Sequence, residues 1–186
     1  MNRNFIFEIY KDERTVFNLQ EIAMLVRETD FERLKQRINY FVRTGKLKNI
    51  RRGIYVKENY SPEELACKIY TPAYISLEYV LQKSGIVFQY DTGITIVSYL
   101  SRIVNVDGYT LKYRKIKNDL LYNNRGIIIL NNGINIAIPE RALLDTLYLN
   151  KEMYFDSTLS MKEDTVNDLL SLYKLKRLYE AAKELF

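Results

Sequence analysis

Apolar residues recur three or four positions apart over much of this chain, a helical period, and short β-prone runs interrupt it. Phe5, Ile6, Ile9 and Tyr10 have that spacing and predict a first helix. Thr15 to Phe17 is short and β-friendly. Leu19, Ile22, Ala23 and Val26 then share one helical face, over a helix expected to reach about Glu28. Asn18 and Glu21 precede it as a capping box, in which each side chain can accept the other's backbone amide. Thr29 and Glu32 form a second such pair, so another helix is predicted almost at once. Its buried stripe is Phe31, Leu34, Ile38, Phe41 and Val42, and Gly45 stands where a left-handed cap would end it. Two capped helices joined by a very short turn predict a helix-turn-helix.

Two β-prone runs follow, Lys46 to Ile50 and Ile54 to Lys57, around the turn Arg51-Arg52-Gly53. Gly53 can take the positive φ that a tight hairpin needs. A hairpin directly after the second helix is a wing. Ser61-Pro62-Glu63-Glu64 then reads as a helix start, with both glutamates serving its first turn. Further on, Ala73 to Ile75 reads as extended and Ser76 to Lys83 as helical. Strands are predicted at Ile94 to Val97, Arg102 to Val106, Tyr109 to Ile116, Gly126 to Leu130 and Ile134 to Ile138, with turns at Asp107-Gly108 and Asn132-Gly133. Pro139 opens a helix, and two amphipathic helices close the chain. The expected fold class is α+β. A winged helix-turn-helix occupies residues 1–59, and a mixed α/β C-terminal domain ending in amphipathic helices occupies 60–186.

Charge sharpens this picture. From Arg27 to Lys57 ten residues are Lys or Arg and three are acidic, a net +7; the whole chain is +5, so everything else sums to −2. A basic surface confined to one small module points to a polyanion as partner. At about 100° per residue, the face of the second helix opposite its buried stripe carries Arg33, Gln36, Tyr40 and Arg43, flanked by Lys35, Arg37 and Asn39. Arg pairs with guanine, Gln and Asn pair with adenine, and Tyr can donate to phosphate. Arg33, Gln36 and Arg37 are the expected base readers because the N-terminal part of such a helix sits deepest in the groove. The wing carries Lys46, Lys48, Arg51 and Arg52, with the two arginines expected at its tip to grip phosphates or enter a minor groove. The partner implied is double-stranded DNA.

The rest of the chain offers little chemistry. It has no histidine, which removes imidazole bases and nearly all zinc sites. Cys67 is alone and reads as a small, partly buried residue in a reducing compartment. No carboxylate spacing suits a metal-dependent nuclease, and there is no Gly-rich phosphate loop or Gly-x-Ser-x-Gly elbow. Glu140 favours the dipole of its helix, Asp145 reads as a polar-face residue of that helix, and Arg141 is placed to ion-pair locally. Tyr70, Tyr74, Tyr79, Tyr90, Tyr99, Tyr109, Tyr113 and Tyr122 fit boundary positions between core and water. No enzyme activity, cofactor or metal is expected. The first ten residues lack the apolar run of a signal peptide, and no stretch reaches the ~18 apolar residues of a membrane span. The expected place is the cytoplasm, with no membrane partner.

Four segments occur in order: Gly45 to Val56, Ser61 to Ala66, Pro72 to Leu81 with Ser84-Gly85-Ile86, and Ile138 to Asp145. Together they resemble the AbiEi family of antitoxin-type transcriptional regulators. The resemblance runs from about Asn18 to Leu149. It implies a winged helix that represses the promoter of a type IV toxin–antitoxin operon, and a C-terminal domain needed for antitoxic action. It also implies a functionally linked nucleotidyltransferase toxin neutralised without a direct complex. Only Arg51, Arg52 and the polar face of the recognition helix gain a role from it. The alternative left by the residues themselves is an orphan winged-helix regulator whose C-terminal domain binds a ligand or a protein.

Overall fold

The computed structural model describes residues 4–88, 92–150, 155–157 and 161–185, and among them the fold is mixed α+β with nine helices and two sheets. The first part runs α1 (Asn4–Lys11), β1 (Val16–Asn18), α2 (Leu19–Val26), α3 (Phe31–Arg43), β2 (Lys48–Arg51) and β3 (Ile54–Val56). Its three strands form an antiparallel sheet in the order β1-β3-β2. Asn18 and Glu21 make the expected capping box, and Arg27 ends α2 in the left-handed conformation. The cap of α3 is Asp30 rather than Thr29: its carboxylate accepts the amides of Glu32 and Arg33. A charged acceptor one residue nearer the helix suits the positive end of the helix dipole better than a hydroxyl. Leu34, Ile38 and Phe41 are buried as the spacing requires, but Phe31, the first helical residue, is 43% exposed because the core lies beyond its turn.

A first hydrophobic core joins Phe5, Ile9, Phe17, Ile22, Leu34, Ile38, Phe41, Leu47 and Tyr55, with Phe5 stacked on Phe41. β3 alternates between two cores. Tyr55 faces this one, while Ile54 and Val56, together with Val16 of β1, belong to the second. Alternation follows from the strand's two-residue period. The small sheet is therefore shared rather than owned by either core.

The remainder runs α4 (Pro62–Ile69), β4 (Ala73–Ile75), α5 (Glu78–Lys83), β5 (Ile94–Ser98), β6 (Arg102–Val106), β7 (Tyr109–Lys115), α6 (Asn118–Leu121), β8 (Ile127–Ile129), β9 (Asn135–Ala137), α7 (Pro139–Leu149), α8 (Glu163–Tyr173) and α9 (Lys176–Lys183). Six strands form one mixed sheet in the order β6-β7-β5-β4-β9-β8. β5 runs parallel to β7 and β4 parallel to β9; the other pairs are antiparallel. Every residue of β4 and β5 is buried, as expected for strands covered on both faces. Tyr113 of β7 reaches α4, where its hydroxyl donates to the Ala66 carbonyl, and Tyr74 of β4 points the other way to α7. Helices thus flank the sheet, with α4 between it and the small sheet. Glu64 does more than start α4. Its buried carboxylate accepts the amides of Thr15 and Val16 at 2.6 and 3.0 Å and ties β1 to this helix.

Three expectations change. The predicted helix at Ser76 begins only at Glu78, because Leu77 adopts φ 62° and breaks the run. α6 has no counterpart in the spacing pattern, being only four residues long. Tyr74 and Tyr113 are core residues rather than boundary ones, each with its hydroxyl bonded internally; Tyr99, Tyr109 and Tyr122 are exposed. Tyr90 lies outside the described residues. The two closing helices pack inward through Val166, Leu169, Leu170, Tyr173, Leu178 and Ala182. No helix among the described residues is long and apolar enough to cross a membrane.

Candidate nucleic-acid interface

α3 presents its polar face outward. Arg33, Lys35, Gln36, Asn39, Tyr40 and Arg43 are all exposed. Their surroundings differ. The Lys35 ammonium is 2.7 Å from Glu32 one turn back, and the Arg33 guanidinium is 3.7 Å from Glu28 with 68% of its side chain still exposed. Tyr40 packs edge-on to Phe41 and keeps its outer edge in solvent. Arg37 is placed differently from the rest. It is half-buried, its guanidinium lies 4.2 Å over the Phe5 ring, and Glu28 is 3.7 Å away. The first helix supplies that ring, so a residue expected to read bases is partly engaged by α1. A cation over an aromatic face is held by the ring's negative quadrupole.

The hairpin that follows α3 exposes Lys46, Lys48 and Arg52. Its tight turn is Arg52-Gly53, with Gly53 at φ 78°, and Arg51 is still paired in β2 opposite Ile54. Arg51 is consequently not at the tip. Its guanidinium sits 5.7 Å over the Tyr70 ring at the end of α4, with a nitrogen 3.5 Å from the Tyr70 hydroxyl. The Tyr10 hydroxyl donates to the Lys46 carbonyl at 2.6 Å and braces the hairpin's start on α1. Lys57, part of the basic excess, turns back instead: its ammonium donates to the carbonyls of Tyr10 and Asp12. Burial there pulls its pKa down from the ordinary lysine value, against the pull of Asp12 and Glu64. The outward cations are thus Arg33, Lys35 and Arg43 on the helix and Lys46, Lys48 and Arg52 on the hairpin.

A second polar cluster lies inside the large core. The Asp145 carboxylate accepts from the Tyr173 hydroxyl (2.7 Å), the Ser76 hydroxyl (2.8 Å), the Tyr74 hydroxyl (3.0 Å) and Arg141 Nε (3.3 Å). Arg141 also donates to the carbonyls of Leu120 and Arg125 and to Tyr74. Both charged residues are 0% exposed. Arg141 does ion-pair locally, and the structure gives its partner as Asp145 one turn on, but Asp145 is not on a polar face. Strand β4 and helices α7 and α8 close over it and replace water with three hydroxyls. Burial pushes the Asp145 carboxyl above its ordinary value, opposed by Arg141 and the hydroxyls. Burial likewise opposes the charge on Arg141, but Asp145 together with Tyr173 and Tyr74 outweighs it, and the net shift is upward. A carboxylate partnered by four donors and closed to solvent is a packing element. Cys67 is also interior, its thiol pushed up to about 11 chiefly by burial. Among the described residues no group of three or more acidic or cysteine side chains is placed to hold a metal ion.

Sequence spacing gives no hint that Tyr70 and Arg102 belong beside the wing. The Arg102 guanidinium lies 3.2 Å from the same Tyr70 hydroxyl that Arg51 approaches. Nothing local marks this meeting, which joins three elements far apart in the chain. No family model matches the sequence, and no curated protein matches it either.

Proposed function

We propose that residues 4–56 form a winged helix that binds duplex DNA sequence-specifically, with α3 in the major groove and the β2–β3 hairpin as the wing. The observation that carries this reading is a run of exposed polar and basic side chains on two consecutive elements: Arg33, Gln36, Asn39, Tyr40 and Arg43 on α3, then Lys46, Lys48 and Arg52 on the hairpin directly after it. Arginine donor forks and amide donor–acceptor pairs line the helix and cations line the hairpin, which suits base reading beside phosphate gripping. The order helix, strand, helix, helix, hairpin, with the three strands paired β1-β3-β2, supports the same reading.

More particularly, the protein is read as a cytoplasmic transcriptional repressor of the AbiEi kind, the antitoxin of a type IV toxin–antitoxin pair acting on its own promoter. Support comes from the four segments that resemble that family. In this reading a nucleotidyltransferase toxin is encoded alongside and is neutralised without direct contact. A second reading, an orphan regulator with a ligand-binding C-terminal part, draws on a cleft of about 600 Å³ lined by Glu78, Thr95, Arg102, Lys112 and Arg114 among others. A nucleotidyltransferase gene directly downstream, whose toxicity is relieved by co-expression of this chain, favours the first; its absence favours the second.

The central test is affinity for the chain's own upstream duplex as a function of salt. Arg33→Ala should cost about 1–3 kcal/mol and relax sequence preference. Arg51→Ala/Arg52→Ala should weaken all duplexes alike and flatten the salt slope. Failure of the unaltered protein to bind any duplex at low salt would sink the reading.

A further inference from the structure

Two guanidinium groups from distant parts of the chain converge on one hydroxyl. Arg51 closes β2, an edge strand of the small sheet, and Arg102 opens β6, an edge strand of the large one. Their nitrogens lie 3.5 and 3.2 Å from the Tyr70 hydroxyl oxygen. That oxygen is held in place. The Tyr70 ring stands edge-on against Tyr113 at 4.9 Å and against Tyr99 at 6.3 Å. Among the described residues neither arginine is ion-paired with a carboxylate.

The donors here outnumber the acceptors. Arginine has only donors, and a phenol oxygen that accepts from two of them keeps its own O–H to donate. Two like charges held this close repel each other unless an anion lies between them. The complement of such a cluster is an oxyanion, and Arg presents a planar fork suited to phosphate. Arg102 is exposed, so the cluster opens to solvent. It also continues directly from the wing, whose turn begins one residue after Arg51.

From this we infer that Arg51, Tyr70 and Arg102 together bind a backbone phosphate of duplex DNA beyond the wing, so that the footprint extends from the winged helix onto the edge of the six-stranded sheet. The inference rests on the duplex-binding reading above. It gives Arg51 a different task from Arg52. Arg52 reaches out from the turn, whereas Arg51 acts with a residue of the second core and fixes how that core lies along the duplex.

Fluorescence anisotropy with the chain's own upstream duplex, titrated between about 50 and 200 mM salt, tests it. Arg102→Ala should bind several-fold more weakly, with a salt slope shallower by about one, the signature of one lost phosphate contact. Tyr70→Phe keeps the ring and both charges and should lose less, with the slope retained. Circular dichroism melts of both variants check that each is folded. If the unaltered protein binds the duplex and Arg102→Ala matches it in affinity and slope, the phosphate site is wrong and the duplex-binding reading stands. If Arg102→Ala weakens binding with no change of slope, Arg102 merely steadies Arg51, and the shared contact is again overturned. If the unaltered protein binds no duplex, both fall.

Discussion

Arg33 and Arg141 are the same side chain in opposite circumstances. Arg141 is 0% exposed and directs its donors to Asp145, Tyr74 and the carbonyls of Leu120 and Arg125. Arg33 keeps 68% of its side chain in solvent and has one carboxylate at 3.7 Å, near the outer limit of an ion pair. The first arginine is satisfied by its own chain and has no face left for a partner. The second has most of its donors facing outward. Net charge alone cannot separate these cases, because both count as +1. What separates them is whether the donors are matched inside the fold. By that measure the buried cluster explains why α7 and α8 pack as they do, and the α3–hairpin surface is left as the one proposed for recognition. A buried charge must be matched or it destabilises; a surface charge can remain unmatched at little cost.

The largest effect expected from this contrast is at Asp145. Removing it by Asp145→Ala leaves the Arg141 charge buried without its counter-ion and strands the hydroxyls of Tyr74, Ser76 and Tyr173. Breaking a buried pair from one side costs about 3–5 kcal/mol. Urea denaturation of the variant should show a loss of that order. Asp145→Asn retains an acceptor and should lose less. A loss from Asp145→Ala no larger than that of a surface substitution would mean the cluster is not closed to water, and the contrast with Arg33 would collapse.

How far the chain can be read from its sequence follows the same divide between local and distant partners. The Asn18–Glu21 capping box, the Gly45 cap, the Ser61-Pro62 start of α4 and the Pro139 start of α7 are all legible, because each depends on residues within a turn of one another. The Asp107-Gly108 turn is legible for the same reason. The parallel pairing of β5 with β7 and of β4 with β9 is not, since nothing in a strand names a parallel neighbour that is reached by a crossover. Spacing assigns Asp145 to a polar face because its hydroxyl partners are remote: Tyr74 in β4, Ser76 just after it and Tyr173 at the end of α8 lie 28 to 71 residues away. The candidate surface divides likewise. Helical phasing is enough to find Arg33, Gln36, Tyr40 and Arg43. It cannot show that Phe5 covers Arg37 or that Arg51 stays paired in β2 with its guanidinium over Tyr70.

An intermediate effect is expected where the backbone meets the buried cluster. Gly126 has φ +75°, and a Cβ there would lie 3.0 Å from Arg141 Cβ and 3.2 Å from a Leu169 methyl carbon. Its carbonyl also accepts the Ile138 amide just before α7. Gly126→Ala therefore combines left-handed strain with overpacking in a filled interior, at a cost of about 1–3 kcal/mol. Gly133 shares the positive φ at +87° but has nothing within 4 Å of the added atom. Gly133→Ala should bear the backbone strain alone, on the order of 1 kcal/mol. Parallel thermal melts of the two variants would isolate the packing contribution around Arg141. Equal losses would show that Arg141 has room to move, and the matched, rigid half of the contrast would be weakened.

The smallest effect on stability is expected at the outward arginines, and its smallness is the point. Arg33 contributes no buried surface comparable to that of Arg141, and its ion pair with Glu28 is solvent-exposed on the arginine side. Exposed pairs contribute about 0–1 kcal/mol, and substitutions away from caps and cores stay within about 0.5 kcal/mol. Arg52 lies exposed in the hairpin turn with no carboxylate partner among the described residues. Arg33→Ala and Arg52→Ala should accordingly unfold at nearly the same urea concentration as the unaltered chain, while both lose duplex affinity. A residue whose removal leaves the fold intact but weakens binding is one whose donors were directed at a partner. Should either variant lose stability on the scale of Asp145→Ala, that arginine would be serving the fold, and the surface proposed for recognition would have to be redrawn around the residues that remain.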